Sequence, residues 1–216
     1  LPIARGDDYT GPVLFEPLAA AQLFAQVLGD NLKITRKPIP QPGHPAPYLP
    51  SELEGRVGSR ILPEWMDIVD DPGQTSWRGH PLAGAYAYDD EGVRPEPLVV
   101  VDKGIFKSFF LTRTPVLKGM EVSNGRARLH GPFGASGPGL SNLFVRAEHT
   151  VSEDGLKKQL LDLCKQRNKS YGLLVRKLDF PSSASVDELR RMLTDIAQSG
   201  GARPVSWPLL VYRVYP

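Results

Sequence analysis

Six prolines fall within thirteen residues, at Pro38, Pro40, Pro42, Pro45, Pro47 and Pro50. Proline fixes its own φ and donates no backbone N–H, so this stretch supplies neither a helix interior nor a central ladder strand. It reads as an extended arm or loop over 38–50 with polyproline-like stretches. Two uses stay open for it, a surface loop or an arm reaching a partner subunit. The rest of the chain also turns often, with 21 prolines and 21 glycines in 216 residues. Without low-complexity repeats, that excess implies ordered loops rather than disorder, and it does not fit an all-helical fold.

Hydrophobic periodicity fills in the elements between the turns. Val13-Leu14-Phe15 reads as a short strand running into a helix over about 16–28. Pro17 suits the first helical position, Leu18, Ala21, Phe24, Ala25 and Leu28 recur at helical spacing, and Gly29 is placed to close the helix. Trp65–Val69 alternates and stops at Asp70-Asp71-Pro72-Gly73, a turn signal. Leu98–Val101 and Ile105–Leu111 flank Asp102-Lys103-Gly104 and predict a hairpin. Further strands are expected around Leu143–Val145, over Tyr171–Leu178 and over Leu209–Val214. Ser152 caps a helix whose Leu156, Leu160, Leu163 and Cys164 share one face. Ser185 and Glu188 form a capping box before Leu189, Met192, Leu193 and Ile196. Three helices among about eight strands, joined by hairpin connections, predict an α+β fold with mainly antiparallel sheet, as one domain over 1–216.

Charge and cysteine usage narrow the function. The 26 basic and 24 acidic side chains leave a formal charge of +2 with no basic stripe, so nucleic acid is not an expected partner. No apolar run approaches the roughly 18 residues of a membrane span. The single Cys164 permits no internal disulfide or cysteine cluster and reads as a small core residue. The start at Leu1-Pro2-Ile3 has neither an initiator Met nor a signal-peptide pattern, so a processed or trimmed chain in the cytoplasm is expected.

Chemistry-bearing residues are scattered. His44, His80, His130 and His149 make no H-x-x-x-H pair and lie in predicted loops. Asp70-Asp71 and Asp89-Asp90-Glu91-Gly92 suit acid–base work or a hard cation, but equally the side-chain-to-backbone bonds that tight turns need. Ser123 and Ser141 lack the G-x-S-x-G context of a nucleophile elbow. The glycine-rich 131–139 has no lysine to hold a phosphate.

Several blocks, in order, resemble the C-terminal region of the TldD/PmbA family, known as modulators of DNA gyrase and zinc-dependent peptidases. They are Gly11–Glu16 with Ala19-Ala20-Ala21, Arg56–Trp65 with Asp70-Asp71-Pro72, and Asp89–Val93 with the Val99–Leu111 hairpin. Ser123-Asn124-Gly125-Arg126-Ala127 and Ser141-Asn142-Leu143 complete the set. The resemblance is close over about 10–150 and implies zinc in active members, held through H-E-x-x-x-H at the opening of the first helix. Here that motif aligns on Phe15-Glu16-Pro17-Leu18-Ala19-Ala20. Phe15 and Ala20 stand where the histidine ligands would, and neither side chain can bind a metal. Glu16 keeps the carboxylate, either as the remnant of a general base or as an anion at the positive end of the helix. The chain ends at Tyr212–Pro216, before the region where the family supplies a cysteine ligand, and the family's N-terminal domain is missing.

The resemblance is to the metal-free subunit type. It implies a non-catalytic domain with no cofactor, binding peptide or unfolded polypeptide and forming a homo- or hetero-dimer. Glu16 is the candidate catalytic remnant, and Asp89, Asp90, Glu91 and Asn124 are candidates for substrate binding. Two alternatives stand beside it. One is a hydrolase with another ligand set, such as His80 or His130 with Asp90 or Glu91, and the other is a structural oligomerisation domain.

Overall fold

A computed structural model of the chain describes residues 9–37, 39, 48, 50–129, 136–178 and 208–215. In chain order its elements begin with β1 (Val13–Phe15) and α1 (Pro17–Leu23), which runs through a π-turn (Phe24–Leu28) into α2 (Gly29–Asn31). Then come β2 (Met66–Asp70), β3 (Ser76–Trp77), β4 (His80–Pro81), β5 (Leu98–Asp102) and β6 (Ile105–Phe106). The remainder are β7 (Ala127–Leu129), β8 (Ser136–Pro138), β9 (Leu143–Ala147), α3 (Glu153–Gln166), β10 (Gly172–Leu178) and β11 (Pro208–Val214). This is an α+β fold with mainly antiparallel sheet, as the sequence pattern predicts. The expected helix over 185–196 lies outside the described residues. The described residues fall into two compact units.

The first unit holds β1, α1, α3, β10 and β11. Its sheet runs β1-β10-β11, with Val13 opposite Leu173 in a parallel pair and Val175 opposite Val211 in an antiparallel one. Glu16 opens α1, its carbonyl accepting from the Ala20 N–H at 2.8 Å, so Pro17 takes the position where a missing N–H costs nothing. Ala19 is fully buried against Val175 and Leu178, with Phe15, Leu23 and Val211 packed around them. The buried Gln22 side chain bonds both backbone groups of Leu178, accepting from its N–H at 2.8 Å and donating to its carbonyl at 3.2 Å. Ser152 caps α3 by accepting from the Gly155 N–H at 3.1 Å. Leu160 and Cys164 are the buried residues of α3, and β10 passes so close that a Cβ on Gly172 would collide with the Leu160 side chain.

The second unit is built on a four-stranded antiparallel sheet in the order β6-β5-β2-β9. β2 is central, pairing β9 over its whole length from Met66–Ala147 to Asp70–Leu143, and β5 across a register shift after Ile68. Val100, Val101, Ile68 and Phe106 fill the core with Phe109 and Phe110. Phe106 and Phe109 meet edge to face with centroids 4.8 Å apart, the geometry that aromatic quadrupoles favour. Among the described residues no helix is long and apolar enough to cross a membrane.

Two local expectations are corrected. The helix does not close at Gly29. It runs on to Asn31, whose side chain donates to the Val27 carbonyl at 2.8 Å and accepts from the Glu52 N–H at 2.9 Å. The helix ends where those bonds tie it to the next loop. The second hairpin strand stops at Phe106 rather than Leu111. Phe109, Phe110 and Leu111 are all buried, and three successive core residues cannot be served by a strand whose side chains alternate between faces. The chain leaves the ladder instead, and Phe110 bridges Lys33.

The hairpin turn carries positive φ at Lys103 (46°) and Gly104 (74°), the conformation that two-residue turns favour. A Cβ at Gly104 would collide with the Leu62 carbonyl oxygen and the Pro63 backbone. Replacing Gly104→Ala is therefore expected to destabilise the fold by more than about 1 kcal/mol, read from the urea midpoint at unchanged m-value.

Candidate functional site

The last residue of β2, Asp70, is fully buried, and so is Arg126 at 1% exposure. Arg126 Nε donates to Asp70 Oδ2 at 3.1 Å, while Nη2 donates to the carbonyls of Asp70 at 2.9 Å and Glu96 at 2.7 Å. Nη1 donates to the Asn124 carbonyl. The other carboxylate oxygen of Asp70 accepts from the Ser141 N–H at 3.1 Å. Burial pushes the Asp70 carboxyl above its ordinary range, and Ser141 and Arg126 pull against that. The buried Ser141 hydroxyl itself makes no hydrogen bond of acceptable geometry among the described residues.

The acidic cluster packs beside this pair. Asp89 Oδ1 accepts from the N–H groups of Glu91 at 3.0 Å and Val93 at 2.8 Å, and Oδ2 from that of Ala127 at 3.0 Å. Both oxygens therefore hold backbone. Asp90 lies 4.0 Å from Arg128, whose guanidinium sits 4.4 Å above the Tyr86 ring. Glu91 Oε2 accepts from the Arg113 N–H at 2.6 Å. Asn124 brackets the core segment, accepting from the Leu111 N–H and donating to the Phe109 carbonyl, each at 2.8 Å. The four candidate binding residues Asp89, Asp90, Glu91 and Asn124 thus gather around 124–127, engaged mainly in holding the chain.

Two residues that sequence reasoning missed complete the arrangement. Asn142 accepts from the Gly84 N–H at 3.1 Å and donates to the carbonyls of Asp71 at 3.2 Å and Gln74 at 2.9 Å. Tyr86 donates its hydroxyl proton to the Gly125 carbonyl at 2.9 Å, and its backbone N–H bonds the Pro72 carbonyl. Burial first, then the nearby Asp70 and Asp89, push its pKa from 10.0 to about 12, against the opposing pull of Arg126 and Arg128. Asp71 folds its own turn, accepting from the Gly73 N–H at 2.9 Å.

Glu16 belongs to the first unit. Its carboxylate accepts from Arg176 Nε at 3.0 Å. Phe15 packs against the Ala19–Val175–Leu178 cluster. A cavity of about 290 Å³ opens beside them, lined by Leu14, Phe15, Pro17, Leu156 and Leu174 with Glu16, Glu153 and Lys157 at its edge. Zinc does not fit this donor set. Phe15 and Ala20 offer no lone pair, and the carboxylates of Glu16 and Glu153 are paired with Arg176 and Lys157. His80 is exposed in β4 opposite Trp77, and His149 is exposed after β9, while His44 and His130 lie outside the described residues. Among the described residues no group of three His, Cys, Asp or Glu is placed to hold a metal ion.

The model of the PmbA/TldA metallopeptidase C-terminal domain matches residues 8–179. A metalloprotease of Archaeoglobus fulgidus is 29% identical over 167 residues, which cover 68% of this chain and 34% of that protein. Another metalloprotease, of Methanothermobacter thermautotrophicus, is 39% identical over 79 residues, 36% of this chain and 16% of that protein. The crystal structure of TldE from Thermococcus kodakarensis shares the fold with a TM-score of 0.50 at 22% identity, over 79% of this chain and 33% of that one. The chain spans at most about a third of the length of these proteins.

Removing the cation from a buried ion pair strands the anion. Arg126→Met is expected to cost about 3–5 kcal/mol in chemical denaturation, and adding Asp70→Asn to recover part of that loss. The raised Tyr86 pKa has its own signature. The folded phenol keeps its proton between pH 10 and about 12 while the unfolded one ionises, so this group favours the unfolded chain progressively as pH climbs through that window. In alkaline absorbance titration, the phenolate that disappears in Tyr86→Phe should form near pH 12 rather than 10.

Proposed function

The chain belongs to the PmbA/TldD family through the metallopeptidase C-terminal domain, and from that premise we propose that it is a zinc-free, non-catalytic member that binds extended polypeptide and pairs with a second subunit. The observation that carries this reading is the state of the helix opening. A metallopeptidase needs imidazoles to hold zinc and a free carboxylate to accept a proton from the bound water. Here Phe15 is a packing residue, Ala20 has no donor atom, and the Glu16 carboxylate is paired with Arg176.

Polypeptide binding then has to rest on backbone and surface. β9 is a terminal strand of its sheet and contains no proline, so along one side its ladder groups have no neighbouring strand among the described residues. An extended peptide adding there would gain main-chain hydrogen bonds, with the half-exposed Val145 contributing apolar contact. The alternative ligand set has little support, because Glu91 is bonded to the Arg113 N–H and Asp90 sits against Arg128.

Metal analysis by plasma mass spectrometry, on protein purified without chelator or added zinc, should find close to no zinc per chain. Close to one zinc per chain, lost on His80→Ala, would overturn the zinc-free reading and favour a different ligand set. Reduced, carboxymethylated lactalbumin should raise the anisotropy of the labelled protein. Failure to do so at high concentration would remove the polypeptide-binding half of the proposal.

A further inference from the structure

Within the second unit, the loop segments 71–75, 85–88 and 94–97 enclose an open groove of about 820 Å³, within the usual range of ligand-binding clefts. Rings of Pro95, Pro97, Tyr86 and Tyr88 line it beside Ala85 and Ala87, with the buried Pro72 beneath. Tyr88 is 61% exposed, so its ring face is open to a ligand in the groove. Asp71, Arg94 and Glu96 supply the charge, one cation against two anions.

The walls of this groove are fixed before anything binds. Arg126 Nη2 donates at once to the carbonyls of Asp70 and Glu96, tying the roots of two walls together. Asn142 Nδ2 holds the carbonyls of Asp71 and Gln74, and the Tyr86 N–H holds that of Pro72. At Gly125, which has a φ of +75°, an added Cβ would meet the Pro95 backbone at 2.8 Å, so this wall rests directly on the network beneath it. A site with ordered walls loses little conformational entropy on binding.

We propose that this groove binds a proline-rich segment of a partner protein, extended as a polyproline II helix and carrying a basic residue. Aromatic rings lining a groove are the surfaces on which such helices dock, and the ligand is stiff before it binds. The basic residue is set by charge. Asp71 commits Oδ1 to the Gly73 N–H and keeps Oδ2 for a cation. The Glu96 carboxylate has no hydrogen bond or ion pair among the described residues, and its wall faces the same opening. None of the lining residues belongs to β9, so the site goes beyond strand addition and stands or falls separately from it.

The test uses the whole chain and a fluorescein-labelled Lys-Pro-Pro-Leu-Pro-Pro-Leu-Pro peptide, read by anisotropy. Saturable binding is expected, weakened about tenfold by Tyr88→Ala. Tyr88 makes none of the wall-fixing bonds, so its variant should melt at the native temperature. Glu96→Gln should weaken this peptide and leave a version with Gln in place of Lys unchanged. Equal binding of a control with alanine at every proline, or no effect of Tyr88→Ala, would overturn the proposal. So would a dimer that dissociates when Pro38, Pro40 and Pro42 become serine while the free peptide does not bind, since that would assign the groove to a second copy. Lactalbumin binding that is unchanged in Tyr88→Ala keeps this outcome distinct from that of the polypeptide-binding reading.

Discussion

An arginine and an aspartate withdrawn together from water set the conditions for the rest of the second unit. Desolvating either charge alone costs several kcal/mol, so the pair persists only if the neighbouring backbone satisfies every remaining donor and acceptor. Arg126 makes four hydrogen bonds, three of them to carbonyls in separate segments, and Asp70 takes the Ser141 N–H with its second oxygen. Those partners come from the end of β2 and from the loops at 96, 124 and 141. Each must arrive at its place for the charges to be tolerable. The pair adds less to stability than to uniqueness, because a loop placed elsewhere would leave a buried charge unsatisfied.

Among its described residues the first unit packs without a buried charge. The small Ala19 lets α1 approach the sheet, and Gln22 spends its amide on the two backbone groups of Leu178 at the end of β10. Phe15 contributes to that same packing. A side chain that helps close a core has a packing role of its own, whatever chemistry the neighbouring residues carry. The carboxylate beside it follows the same logic, since Arg176 from the adjoining strand neutralises it.

Much of this architecture is legible in the residue pattern, and the exceptions have physical causes. Capping by Ser152 and burial of Cys164 follow from local spacing, as do the strands β2, β5, β9 and β10. The failures involve contacts distant in sequence. Asn31 lengthens the helix because of Glu52, and Phe110 leaves the hairpin because of Lys33. Arg126 and Asp70 lie 56 residues apart, and no period links them. An arginine flanked directly by Gly125 and Ala127 is the available signal, since small neighbours leave room for a long side chain to turn inward.

The acidic clusters show how one composition serves two different ends. Asp89 has the two oxygens a general base or a cation site would need, yet three backbone N–H groups occupy them. Asp71 and Glu91 likewise each hold a backbone N–H. With both oxygens engaged, Asp89 cannot take a proton or a cation without giving up those backbone bonds, whereas Asp71 commits only one of its two. Acidity at these positions therefore converts into loop rigidity. The groove between those loops inherits that rigidity, and the charge left over at its rim is what remains for recognition.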